Sequence, residues 1–266
     1  IELIGLTYAM GDGINKITNI EKVNNRGVFR GKAGKEVGVG KIIYDEIVSS
    51  GINTVVIPGL HRNIMALDPR FRALYSHCAS AEKVSLGYHS YLKIKADNII
   101  ISDISSNTVT IGIKNKCFFG AMDACIGAPG FIHGPLDLKA LRMVDEGYTT
   151  ANEAFYSSGI MKASENDVPA NILTPKNDKQ KLILESLIMS IKMEINGFRA
   201  LINPNAFVLT GWAGLNDSIF KDIQASFEKF APVYKLGNYA AAKGSAEIAR
   251  DILQGQKSFL GIKVDF

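Results

Sequence analysis

Apolar positions along the chain follow two rhythms. Short runs rich in Ile, Val and Leu, bounded by Gly, Pro, Asn or Asp, read as strands. Stretches with apolar residues three and four apart read as helices. Residues 1–7 form a first strand, and a polar loop with Gly11 and Gly13 follows at 8–13. Residues 41–50 have helical spacing, offer Ile42, Ile43, Ile47 and Val48 to one face, and meet a stop at Gly51. Residues 53–57 make a strand that Pro58 and Gly59 terminate. His61 and Arg62 then fall on a loop past its C-terminal end, where open α/β sheets place ligand-contacting groups. From Pro69 a helical stretch runs to about residue 92 with a break near Cys78.

The segment 98–123 changes rhythm. Ile99 to Ile101 is a buried strand, 103–108 a tight polar bend, 109–113 an alternating strand, and 117–122 a third strand after a turn at Asn115 and Lys116. This is an antiparallel meander. A rigid loop with Gly127, Pro129, Gly130, Gly134 and Pro135 follows, Asp137 caps a helix to about residue 146, and Thr150 with Glu153 makes a capping box. The longest helical pattern spans 176–201 with Leu182, Leu184, Leu187, Ile188, Ile191 and Ile195 as core, and Pro204 stops it. A buried strand at 206–210, a loop from Gly211 to Gly214, a helix at 217–230, a strand at 232–235 and a helix at 240–253 complete the pattern.

Composition adds little to this picture but removes several classes. With 47% hydrophobic and 21% charged residues the 266-residue chain is of the folded, water-soluble type. The net charge of +4 is scattered, which speaks against nucleic-acid or membrane partners and suits a small anionic ligand or solubility alone. No apolar run approaches the ~18 residues of a membrane span, and a cytoplasmic protein is expected. Three cysteines, Cys78, Cys117 and Cys125, without a C-x-x-C pair read as buried thiols, the alternative being a metal between His77, Cys78 and His133. Gly31, Gly34, Gly38 and Gly40 around Lys35 and Lys41 resemble a phosphate loop, but Ile42 stands where a Ser or Thr is required, so a surface loop is expected.

Two spaced features carry a resemblance. Asp103-Ile104-Ser105-Ser106-Asn107-Thr108 resembles the second phosphate-binding hairpin of the actin, sugar-kinase and acetate-kinase superfamily, and Val208 to Gly214 looks like its adenosine-binding element. The order of the flanking pieces is similar to acetate and butyrate kinases. The phrases at 60–63, 67–80 and 123–130 resemble methanogenesis marker protein 12, an archaeal family. The resemblance implies an α/β, actin-like (ribonuclease H-like) ATPase fold. Its first lobe is expected at 1–95 and its nucleotide-binding lobe at 96–266, with the leading strands lying before Ile1.

The same resemblance implies an ATP-dependent phosphotransferase or ATPase using ATP and Mg2+. Asp103 would hold the metal, Ser105, Ser106, Asn107 and Thr108 would line the phosphates, and Gly211 and Gly214 would admit the nucleotide. Trp212 would flank the adenine or plug the lobes, and His61 with Arg62 would meet the transferred group or a small anionic substrate. The bend at 103–108 is expected to face the Gly211 loop across a crevice. Ser105, Ser106 and Asn107 replace the usual glycines, which supports a second reading as a non-catalytic nucleotide-binding assembly or regulatory factor. Residues 127–135 are a candidate homodimer surface. Asp103 has a plainer role too, capping its own turn, and His77 one as a core residue.

Overall fold

The computed structural model describes residues 1–8, 11–28, 40–164 and 166–266. In chain order the elements begin with β1 (Ile4–Thr7), β2 (Ile17–Asn19), α1 (Gly40–Ser49), β3 (Thr54–Ile57), β4 (Leu60–His61), α2 (Pro69–Leu74), β5 (His77–Ala79) and α3 (Ala81–Ile94). The meander is β6 (Ile99–Ile104), β7 (Thr108–Lys114) and β8 (Cys117–Asp123). Then come α4 (Leu138–Asp145), α5 (Ala151–Tyr156), α6 (Pro169–Leu173), α7 (Asp178–Ile202), β9 (Ala206–Thr210), α8 (Asp217–Phe227), β10 (Val233–Lys235), α9 (Ala240–Leu253), β11 (Ser258–Phe259) and β12 (Ile262–Asp265). The glycine-rich stretch expected as a loop falls mostly on 29–39, outside the described residues.

Residues 1–97, 113–121 and 239–266 form one compact unit, and 98–112 with 122–238 form the other. Segments 113–121 and 239–266, assigned from sequence to the later lobe, therefore group with the earlier one. The first unit holds a sheet of order β1-β3-β2-β12-β11. Strand β3 runs parallel to β1 and antiparallel to β2, and β12 lies parallel to β2. Thr54, Val55, Val56 and Ile57 are all buried, as expected of a strand with a neighbour on each side.

Helices α3 and α9 pack closely in this unit. A Cβ on Gly244 would collide with the Ser85 carbonyl, so only glycine permits the approach. Ser85 and Ser245 hydroxyls meet at 3.0 Å, His89 Nδ1 lies 2.8 Å from Glu247, and the Tyr88 hydroxyl donates to Asp251 at 2.7 Å. These bonds satisfy polar groups that burial would otherwise penalise.

The second unit is built on β10, β9, β6 and residues 108–112 of β7, in that order across the sheet. Strand β9 lies parallel to β6 in a register that ends on Asp103 opposite Thr210, and β10 runs parallel to β9. The short bends joining β6, β7 and β8 leave only antiparallel pairing between them. Both β6 and β9 are nearly continuous apolar runs and are buried along almost their whole length.

Four expectations change. Of the three cysteines expected to be buried only Cys78 is, and Cys117 and Cys125 are exposed. The break near Cys78 is a strand, β5, paired with β4, so His77 stands on a strand and not in a helix. In α1 the buried residue is Tyr44, tilted against Tyr8 at 5.2 Å, while Ile42, Ile43 and Val48 are exposed. The long helix α7 buries Leu184, Leu187, Ile188, Ile191 and Ile195, but Leu182 is 63% exposed.

Candidate functional site

Parallel pairing of β6 and β9 brings their C-terminal ends to one corner of the second unit, which is where ligands bind in open α/β sheets. The bend after β6 and the loop after β9 meet there directly. They are not separated by a crevice. Ala213 and Gly214 both donate their backbone N–H to the Ile104 carbonyl at 3.1 Å. Gly211 has φ +81, and a Cβ there would strike the Asp103 carboxylate and the Ile104 carbonyl. Glycine is required at Gly211 on both counts.

The bend is tied down from its carbonyl side. Phe131 donates to the Ser105 carbonyl at 3.0 Å, and Ile132 and His133 donate to that of Ser106 at 3.0 and 2.9 Å. Ser105 N–H closes the turn on the Asn107 carbonyl at 3.0 Å. Among the described residues no acceptor meets the backbone N–H groups of Ser106 and Asn107. Adjacent backbone donors of this kind suit an anion.

The side chains that replace glycines are mostly occupied within the fold. Ser105 Oγ donates to the Asn107 carbonyl at 3.1 Å and reaches Asp103 Oδ1 at 3.5 Å. Asn107 Nδ2 donates to Asp123 at 3.2 Å, and Thr108 Oγ1 donates to the Pro129 carbonyl at 2.9 Å. Of the four, the Ser106 hydroxyl alone has no partner among the described residues. Trp212 is 37% exposed and rests on the buried Phe131 ring, 4.7 Å between centroids. Asp103, Ser105, Ser106, Asn107, Thr108, Gly211, Trp212 and Gly214 thus all belong to this unit, and the bend and the Gly211 loop touch.

His61 and Arg62 belong to the first unit. His61 is 2% exposed, its Nε2 donates to the Ile14 carbonyl at 2.8 Å, and Asn63 N–H reaches Nδ1 at 3.4 Å. With its ring nitrogens engaged, and its pKa lowered by burial, the imidazole is a neutral structural element. Arg62 is exposed and has no ion-pair partner among the described residues. Beside it His77 Nδ1 lies 2.8 Å from Asp12 Oδ2, an Asp–His contact that the sequence reading missed. Asp12 sits in a short Gly-Asp-Gly turn 65 positions from His77, so no local spacing announces the pair.

A phosphate with magnesium fits the chemistry of the corner in the second unit. Two backbone donors and one hydroxyl meet no partner among the described residues, and Asp103 supplies a carboxylate at the same place. Among the described residues no group of three or more His, Cys, Asp or Glu is arranged to hold a metal by itself, the suggested His77, Cys78 and His133 set included. Nor is any helix there long and apolar enough to cross a membrane.

Solved structures share this architecture. An acetate kinase from Porphyromonas gingivalis matches with TM-score 0.63 at 13% identity, covering 81% of this chain and 68% of that one. A propionate kinase from Francisella tularensis matches with TM-score 0.58 at 13% identity, covering 80% and 68%. The fold is the actin-like ATPase fold of the acetate and propionate kinases.

Within that class the chain belongs to the UPF0285 family. It is 49% identical over 279 residues to a UPF0285 protein of Methanocaldococcus jannaschii, and 46% identical over 276 residues to one of Methanococcus maripaludis. Each match covers all of this chain and 84% of the relative. No family model matches the chain.

Proposed function

We propose that this protein binds ATP with Mg2+ at the Asp103 corner and acts as an ATP-dependent phosphotransferase or ATPase of acetate-kinase type, serving methanogenesis as a marker protein 12 homologue. The contact between the Asp103 bend and the Gly211 loop carries the reading, because it sets a carboxylate, backbone donors without a partner among the described residues and a glycine turn at one strand-end corner. Ser106 and Asn107 N–H groups, with the Ser106 hydroxyl, would take phosphate oxygens, and Asp103 would hold the metal. Bound Mg2+ supplies charge neutralisation at the phosphates. Gly211 and Gly214 let the second loop lie against the nucleotide, and Trp212 offers a flat apolar surface to the base. Arg62 is the residue for a small anionic substrate; His61 holds its strand.

Calorimetry with ATP and Mg2+ tests this directly. Heat is expected from the native chain and not from Asp103→Ala; no heat from the native chain would sink the proposal. A second reading, nucleotide binding without turnover, is favoured by Asn107 and Ser105 standing where the superfamily has glycines. Steady phosphate release from ATP that Asp103→Asn abolishes decides for the enzyme, and tight binding without release decides for the sensor.

A further inference from the structure

Two buried carboxylates of the second unit are linked to the 105–107 bend. Asp123 ends β8 and is 6% exposed; Glu194 projects from α7 and is 8% exposed. Asp123 accepts Asn107 Nδ2 on its two oxygens at 3.2 and 3.3 Å. Glu194 Oε2 accepts the Ala128 N–H at 2.6 Å, from the loop that follows Asp123.

Glu194 Oε1, Asn107 Oδ1 and His133 Nδ1 are buried without a hydrogen-bond partner among the described residues. All three belong to side chains that touch Asp123 or feel its charge. Buried polar atoms left unpaired are rare and need a reason. For Glu194 a proton supplies one: the neutral acid escapes the penalty of a buried charge whose second oxygen meets no donor among the described residues.

The charges around α7 point the same way. Strand β6 brings Asp103, the turn at 160–163 brings Lys162, already held by Asp137, and α8 brings Asp217, Lys221 and Asp222, the last paired with Lys192 of α7 itself. Helix α6 brings no titratable side chain. The charge that acts on Glu194 is the like charge of Asp123.

We propose that Glu194 is a proton switch on the bend: protonated, it leaves the bend able to take phosphate, and ionised, it sets a second negative charge beside Asp123 and weakens anion binding. Burial, with Asp123 adding to it, pushes the Glu194 carboxyl up to about 7, against the pull of the Thr110 hydroxyl and the Ala128 N–H. The switch therefore works near neutrality, releasing its proton to solvent as pH rises. This inference rests on the nucleotide-binding reading of the bend, but its proton can be observed without any nucleotide.

The test follows the Glu194 side-chain carboxyl by carbon NMR in the whole chain, then measures ATP affinity on either side of neutrality. A midpoint near 7 that falls in Asp123→Asn is expected, with ATP binding weakened roughly five- to tenfold at the alkaline end relative to Glu194→Gln. A midpoint near the ordinary carboxylate value overturns the switch whether or not ATP binds. So does a native affinity profile that overlays that of Glu194→Gln. If ATP fails to bind while the NMR midpoint stands near 7, the nucleotide reading fails and the switch on this bend fails with it, leaving only a buried acid.

Discussion

Ionising Glu194 inside the fold costs stability. Its carboxyl is raised to about 7 from an ordinary 4.5, so between those values the folded chain keeps a proton that the unfolded chain has lost. The group's contribution is full below about pH 4.5 and lost as pH climbs through about 7, at most roughly 3 kcal/mol. Urea titrations should show native stability falling over that window, with Glu194→Gln holding nearly flat. Gly211→Ala is expected to cost roughly 1–3 kcal/mol, since it meets both a positive φ and the Asp103 carboxylate, and a lowered Tm checks it. The resemblance to the superfamily's phosphate and adenosine elements singles out the Asp103 bend and both loop glycines as candidates, and the fold brings them to one corner. Glu194 was overlooked although its signal is present: Leu187, Ile191, Glu194 and Phe198 step along one buried helix face. The Asp12–His77 pair has no such signal, because only tertiary folding brings it together.

Elements were readable where caps and apolar runs agree. Thr150 accepts the Glu153 N–H at 3.2 Å and Glu153 returns to the Thr150 N–H at 2.9 Å, the capping box expected from spacing. Thr150→Ala should remove about 1 kcal/mol, read as a modest fall in unfolding free energy. The strand at His77–Ala79 was hidden inside an apparent helix because its residues have no strong preference and its pairing with Leu60–His61 is set by tertiary contact. Helix α1 misled in another way. Its Ile42, Ile43 and Val48 form a plausible apolar face, yet Tyr44 is the residue that Tyr8 and Val56 receive. Periodicity alone does not say which of two faces a neighbour will cover.

At the scale of the molecule, the actin-like fold is what the resemblance of the Asp103 bend and the Val208–Gly214 segment implies, and the solved kinases share it. The partition into units does not follow from it, because pairing of β12 with β2 joins residues more than two hundred positions apart and leaves no local trace. A chain ending at Asn238 loses α9, β11 and β12. Hydrogen exchange should then find β1 and β3 unprotected, while β6 and β9 keep slow amides; protection retained in β1 would contradict the role given to the late segments. That late closure also orders events during synthesis. Residues 98–238 can collapse while the ribosome is still at work, whereas the early strands must wait for α9 and β12 to emerge. Until then the edge of β2 that β12 covers and the side of β1 on which α9 packs are open to chaperones, or to mispairing with another nascent chain.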